Sequence, residues 1–164
     1  MRKLVILCSL AISLAWGTSF ATPSATFESI SGHYEAVRQA LLYDNVEGVA
    51  GHAGKIEKLA AVAIDAESGD AAVCSDPAGT CDEFMPEIQQ AASRLQSAES
   101  LEDSREAFGE LSRALVKYRQ EIDGPKPVVA YCSMAQKVWL QPKGEIGNPY
   151  YGQSMATCGE IVSE

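Results

Sequence analysis

Apolar residues recur every three or four positions along most of the chain. Phe27, Ile30, Tyr34, Val37 and Leu41 fall on one stripe of a helix, with Ser24 or Thr26 placed to cap its start. Asp44-Asn45 reads as a turn, and Val49, Ala53, Ile56, Ala60 and Ala63 or Ile64 continue the spacing in a second helix. Gly48, Gly51 and Gly54 weaken the start of that helix, which points to close packing against a neighbour. A loop rich in Gly, Ser, Asp and Pro follows from Glu67 to Asp82. A third helix starts at Glu83 and carries Phe84, Ile88, Ala91 and Leu95. A fourth starts at Ser100 in Ser-Leu-Glu-Asp, a capping box with Asp103 in the place usual for Glu or Gln, and keeps its stripe through Phe108, Leu115 and Ile122.

Four amphipathic helices with short connections predict an all-α chain, an antiparallel four-helix bundle over residues 24–123. The pattern stops at Asp123-Gly124-Pro125. Beyond it, Pro127 to Tyr131 and Val138 to Leu140 are short β-branched or aromatic stretches between Gly, Pro and Asn turns. Residues 124–164 therefore read as a small irregular or β-hairpin cap on a single domain, 22–164.

The first 21 residues do not belong to that pattern. Arg2-Lys3, an apolar stretch from Leu4 to Trp16 and the small-spaced end Ser19-Phe20-Ala21 form a secretory signal peptide, with periplasmic or secreted localisation as its consequence. Its apolar stretch is too short for a membrane span. Cleavage after Ala21 leaves 143 of the 164 residues and turns a formal net charge of −9 into −11, because the leader holds two basic and no acidic residues. Such a surface repels phosphate backbones and anionic lipid, so nucleic acid and membrane surfaces are poor partners. Cleavage also removes Cys8 and leaves four cysteines, an even number in an exported chain.

The soft donors cluster in the tail, in Tyr131-Cys132-Ser133-Met134 and Met155-Ala156-Thr157-Cys158-Gly159. On an extended strand Cys132 and Met134 project to one side, and Met155 and Cys158 can meet across a turn. Two thiolates and two thioethers suit Cu(I); the hard ligands of magnesium and calcium are absent from both segments. The plainer reading is a Cys132–Cys158 disulfide with the methionines as apolar filler. Cys74 and Cys81, in a loop without histidine, read as a disulfide worth about 2 kcal/mol. Trp139, Pro149, Tyr150 and Tyr151 read first as pins of the tail to the bundle. Trp139, with Tyr131 and Tyr151, is the candidate cover of a bound ion. His33 and His52 lie on the first and second helices and each reads as a lone surface or half-buried residue, with a second metal site as the alternative. No Ser-His-Asp signature, Gly-rich phosphate loop or Cys-x-x-Cys pair points to an enzyme.

These tail residues carry a resemblance. Tyr131-Cys132-Ser133-Met134-Ala135, Trp139-Leu140, Asn148-Pro149-Tyr150-Tyr151-Gly152, Met155 and Cys158-Gly159 resemble a bacterial exported domain of unassigned function. That domain occurs alone and at the C-terminus of periplasmic adaptor proteins of heavy-metal (copper or silver) efflux systems. Its tail reads His-Cys-Pro-Met-Ala, Trp-Leu, Asn-Pro-Tyr, Met and Cys-Gly, so Tyr131 stands here for a His and Ser133 for a Pro. The stretch between Met134 and Trp139 is also shorter. The resemblance implies copper handling in the periplasm, with efflux or resistance components as partners. The expectation is a non-enzymatic copper(I)-binding protein, with Cys132, Met134, Met155 and Cys158 as ligands. The alternative is a disulfide-stapled helical interaction module without metal.

Overall fold

The computed structural model describes residues 23–67 and 80–164. The expected leader, residues 1–21, and Cys74 lie outside the described residues, as does the side chain of Cys81, so the expected Cys74–Cys81 pair falls outside them too. Four helices come first: α1 (Pro23–Leu42), α2 (Val49–Glu67), α3 (Thr80–Gln96) and α4 (Leu101–Glu121). Three strands follow: β1 (Val128–Cys132), β2 (Lys137–Gln141) and β3 (Glu160–Ser163), with a short 3-10 turn at Gly152–Ser154.

Helix starts follow local chemistry. Ser100 caps α4, its Oγ accepting from the Asp103 N–H at 3.0 Å. The short Asp103 carboxylate takes the Ser100 hydroxyl hydrogen at 2.6 Å, where a longer Glu would reach the cap backbone. At the other end, Lys126 Nζ donates to the Arg119 and Ile122 carbonyls, satisfying acceptors that the last turn leaves open.

Helices pack in chain order. Exposed pairs Arg94–Glu110 and Lys117–Glu87 join late α3 to mid α4 and early α3 to late α4, an antiparallel arrangement. The α2–α3 seam is narrow and alanine-rich, with Ala53, Ala60, Ala91 and Ala92 buried. A Cβ at Gly54 would lie 2.9 Å from the Gln96 side chain, which accounts for one of the three early α2 glycines. Rings fill the α1–α4 seam: Phe27 meets Tyr118 edge-on at 5.6 Å and Tyr34 stacks on Phe108 at 4.7 Å.

The tail corrects the all-α expectation. It is a three-stranded antiparallel sheet of order β2-β1-β3, in which β1 pairs with β2 through Ala130↔Trp139 and with β3 through Ala130↔Ile161. The third strand makes it more than a hairpin, because Glu160-Ile161-Val162-Ser163 supplies β-branched residues to the open edge of β1. Nor is it a lid laid on a finished bundle. Val129, Ala130, Cys132, Trp139 and Leu140 share one apolar core with the helices.

Polar side chains fasten sheet to helices. The buried Tyr34 hydroxyl is 2.7 Å from Ser112 Oγ on α4 and accepts from the Leu140 N–H on β2 at 3.0 Å. Burial pushes its pKa well above the ordinary tyrosine value. Arg38 donates to the Gly147 carbonyl at 2.7 Å, and Arg105 donates to the carbonyls of Leu41 and Pro149 and to the Asp44 carboxylate. Among the described residues, no helix is long and apolar enough to cross a membrane.

Candidate functional site

Cys132 ends β1 and is fully buried; Cys158 leaves the turn after Met155 and is half-buried. Their sulfurs lie 3.4 Å apart, although 26 residues separate them in the chain. Three features impose that approach. The β1–β2 register fixes Cys132 opposite Lys137 at the mouth of the hairpin. Asn148, fully buried, donates from Nδ2 to the Cys158 carbonyl at 2.7 Å, while its Oδ1 accepts from the Tyr150 N–H at 2.8 Å. Gly159 sits at φ +143°, where a Cβ would lie 2.6 Å from the Trp139 ring and 3.0 Å from the Tyr131 carbonyl, so only glycine lets the chain turn there.

The two thiols are not equivalent. Burial pushes the Cys132 pKa up, but hydrogen bonds from the Ala135 N–H, the Cys158 thiol, the Met134 N–H and the Asn148 amide outweigh it, and the net shift is downward. Cys158 is pushed up, first because it gives its hydrogen to Cys132, then by burial and by the charge on Cys132. The two shifts run in opposite directions, so Cys132 is the more acidic thiol of the pair.

The four expected donors divide. Cys132 and Cys158 come together. Met155 is half-buried one turn before Cys158, whose N–H donates to the Met155 carbonyl at 3.1 Å. Met134 is 61% exposed, because β1 ends at Cys132 and residues 133–136 form the hairpin turn with Gln136 at φ +54°. The period-two alternation that would aim Met134 with Cys132 has already ended there. Met134 instead lines a surface cleft with Glu102, Arg105, Lys137 and Tyr151.

The expected covering residues divide too. Trp139 is buried against Gly159, its Nε1 donating to Gln141 Oε1 at 2.8 Å, so it walls the Cys158 turn from the core side. Tyr131 borders a shallow hollow with Ser133, Gly159 and Glu160, and Tyr151 belongs to the Met134 cleft. Asn148 and Gln141 escape the sequence reading. Gln141 Oε1 also accepts from the Gly147 N–H, and its Nε2 donates to the Glu145 carbonyl, which shapes the loop leading to Asn148. Asn-Pro marked a turn; nothing local marked the amide as the anchor of a cysteine 10 residues on.

Among the described residues no three His, Cys, Asp or Glu side chains converge. A four-ligand structural zinc site would need them; a soft monovalent ion needs only two thiolates. Comparison with protein-family models, curated proteins and solved structures returned no match.

Proposed function

We propose that the protein is an exported, non-enzymatic binder of Cu(I), which it holds as cargo between Cys132 and Cys158. The observation that carries this reading is the 3.4 Å approach of a buried cysteine sulfur to a half-buried one. Cu(I) replaces the protons held by the two thiols, which leave to solvent, and the bis-thiolate site carries a single negative charge. Metal–thiolate bonds of about 2.3 Å place two sulfurs about 3.8 Å apart at a tetrahedral angle and farther apart at wider ones. The pair must open by a few tenths of an ångström or more, through the half-buried Cys158 side chain. Met155, in the turn before Cys158, is the third, thioether donor of this reading; Met134, exposed on the hairpin turn, is not part of the inner set. The leader of residues 1–21 supports a periplasmic location. The tail's resemblance to the efflux-linked domain supports copper resistance as the setting and an efflux component as the partner.

Titration of the reduced protein with Cu(I) against a chromogenic chelator tests this. Wild type is expected to withdraw one equivalent, and the Cys132→Ser/Cys158→Ser variant none. Equal competition by the two proteins would end the proposal.

The same approach of the sulfurs favours one alternative, a disulfide staple on an interaction module, since a bonded pair needs only about 2.05 Å. Intact mass after thiol alkylation of protein taken from the periplasm separates the two. Alkylation of both Cys132 and Cys158 without prior reduction is expected for the copper binder, and a bridge resisting mild reduction for the module.

A further inference from the structure

We propose that His33 and His52 form a second metal site, selective for a borderline divalent ion such as Cu(II) or Zn(II) and separate from the cysteine pair. The two residues come from the facing sides of α1 and α2, 19 positions apart, and both are half-buried. Their Nδ1 atoms lie 3.1 Å apart, with ring centroids at 5.3 Å and planes inclined by 50°. The rings are therefore not stacked; they meet nitrogen to nitrogen.

That separation is the bite of a chelate. Metal–imidazole bonds of about 2.0–2.1 Å put two nitrogens roughly 2.9 Å apart at a right angle and roughly 3.3 Å apart at a tetrahedral angle. The observed 3.1 Å lies between, so an ion can seat after small ring rotations with the helix backbones in place. Without an ion, the contact is one hydrogen bond, in which one ring donates from Nδ1–H and the other accepts at Nδ1.

The donor type sets the selectivity. Imidazole is a borderline ligand that suits Cu(II), Zn(II) and Ni(II), with Cu(II) strongest among them, whereas the thiols of the tail prefer Cu(I). Because no third His, Cys, Asp or Glu converges here among the described residues, water completes the coordination. Such a site exchanges its ion readily and differs from a closed structural one.

The test uses the full processed chain, untagged, with Cys132→Ser/Cys158→Ser in place so that the outcome is independent of the Cu(I) reading. The chain contains two histidines in all, so every imidazole signal belongs to this pair. On addition of Cu(II) alone, the electron paramagnetic resonance spectrum is expected to show two equivalent nitrogen ligands at one ion per chain. His33→Gln and His52→Gln are each expected to weaken uptake at least tenfold. Zn(II) is expected to shift the ring-proton resonances of both histidines together in the protein with its histidines intact, which guards against misfolded variants. Nitrogen coupling that persists in the His33→Gln/His52→Gln double variant, or Zn(II) that moves one ring or neither, would overturn the site.

Discussion

Asn148 does more to build the cysteine pair than either neighbouring methionine. Its side chain is fully buried and spends both ends on backbone, one on the Cys158 carbonyl and one on the N–H groups of Tyr150 and Tyr151. Asn148→Ala leaves those groups unpaired in the interior, at a cost of about 1–3 kcal/mol for an unsatisfied buried partner. Denaturant unfolding should show that loss together with weaker Cu(I) competition; a variant as stable as wild type would show that the turn holds itself. Gly159 makes the complementary point by being small. Any side chain there meets the Trp139 ring and the Tyr131 carbonyl in a backbone conformation that L residues rarely adopt, so Gly159→Ala should cost about 1–3 kcal/mol. The donor residues themselves were legible, because cysteine and methionine are scarce and clustered. The groups that aim them were not, since an asparagine beside a proline looks like any exposed turn until a distant carbonyl is brought to it.

Between elements, the decisive contacts are polar and long-range. Tyr34 ties α1 to α4 through Ser112 and to β2 through the Leu140 N–H. Tyr34→Phe keeps the stacked ring and orphans that N–H, so a loss of about 1–3 kcal/mol is expected from thermal or denaturant unfolding. The Asp44–Arg105 pair locks the end of α1 and the tail turn to α4, with the Gln153 N–H also donating to Asp44. The hydrogen bond from Arg105 comes first, and with that from Gln153 it holds the Asp44 carboxyl below its ordinary value of 3.8. A lowered folded pKa stabilises fully above the unfolded value and is lost as pH falls through the folded one. Asp44→Asn should therefore melt below wild type at pH 7, and the two melting curves should converge as pH drops below about 3.8. A constant gap at all pH values would assign the effect to packing. Helix positions were readable because their stripes are local. Strand β3 was not, because all four of its residues are exposed and its identity comes only from pairing with β1. Arg38 and Arg105 carry no local sign of their roles for the same reason: their carbonyl partners at Gly147 and Pro149 lie 109 and 44 residues away.

As a whole, sheet and helices share one core, so they are expected to unfold together. A chain beginning at residue 22 tests this, since it keeps Trp139 and lacks Trp16, the other of the two tryptophans. Trp139 fluorescence follows the tail and far-ultraviolet circular dichroism follows the helices. The two unfolding curves should coincide, as two-state behaviour requires. An earlier fluorescence transition would show that the tail unfolds apart from the helices. Cooperativity matters for function because the sulfurs belong to distant parts of the tail, and only the folded core holds them 3.4 Å apart.

X-ray absorption at the copper edge of the Cu(I)-loaded, reduced protein decides whether this sulfur pair holds the ion. The expected first shell is sulfur alone, at or slightly below the ~2.3 Å of metal–thiolate bonds, and it disappears in Cys132→Ser/Cys158→Ser. A first shell of nitrogen or oxygen, or a sulfur shell unchanged in that variant, would contradict it.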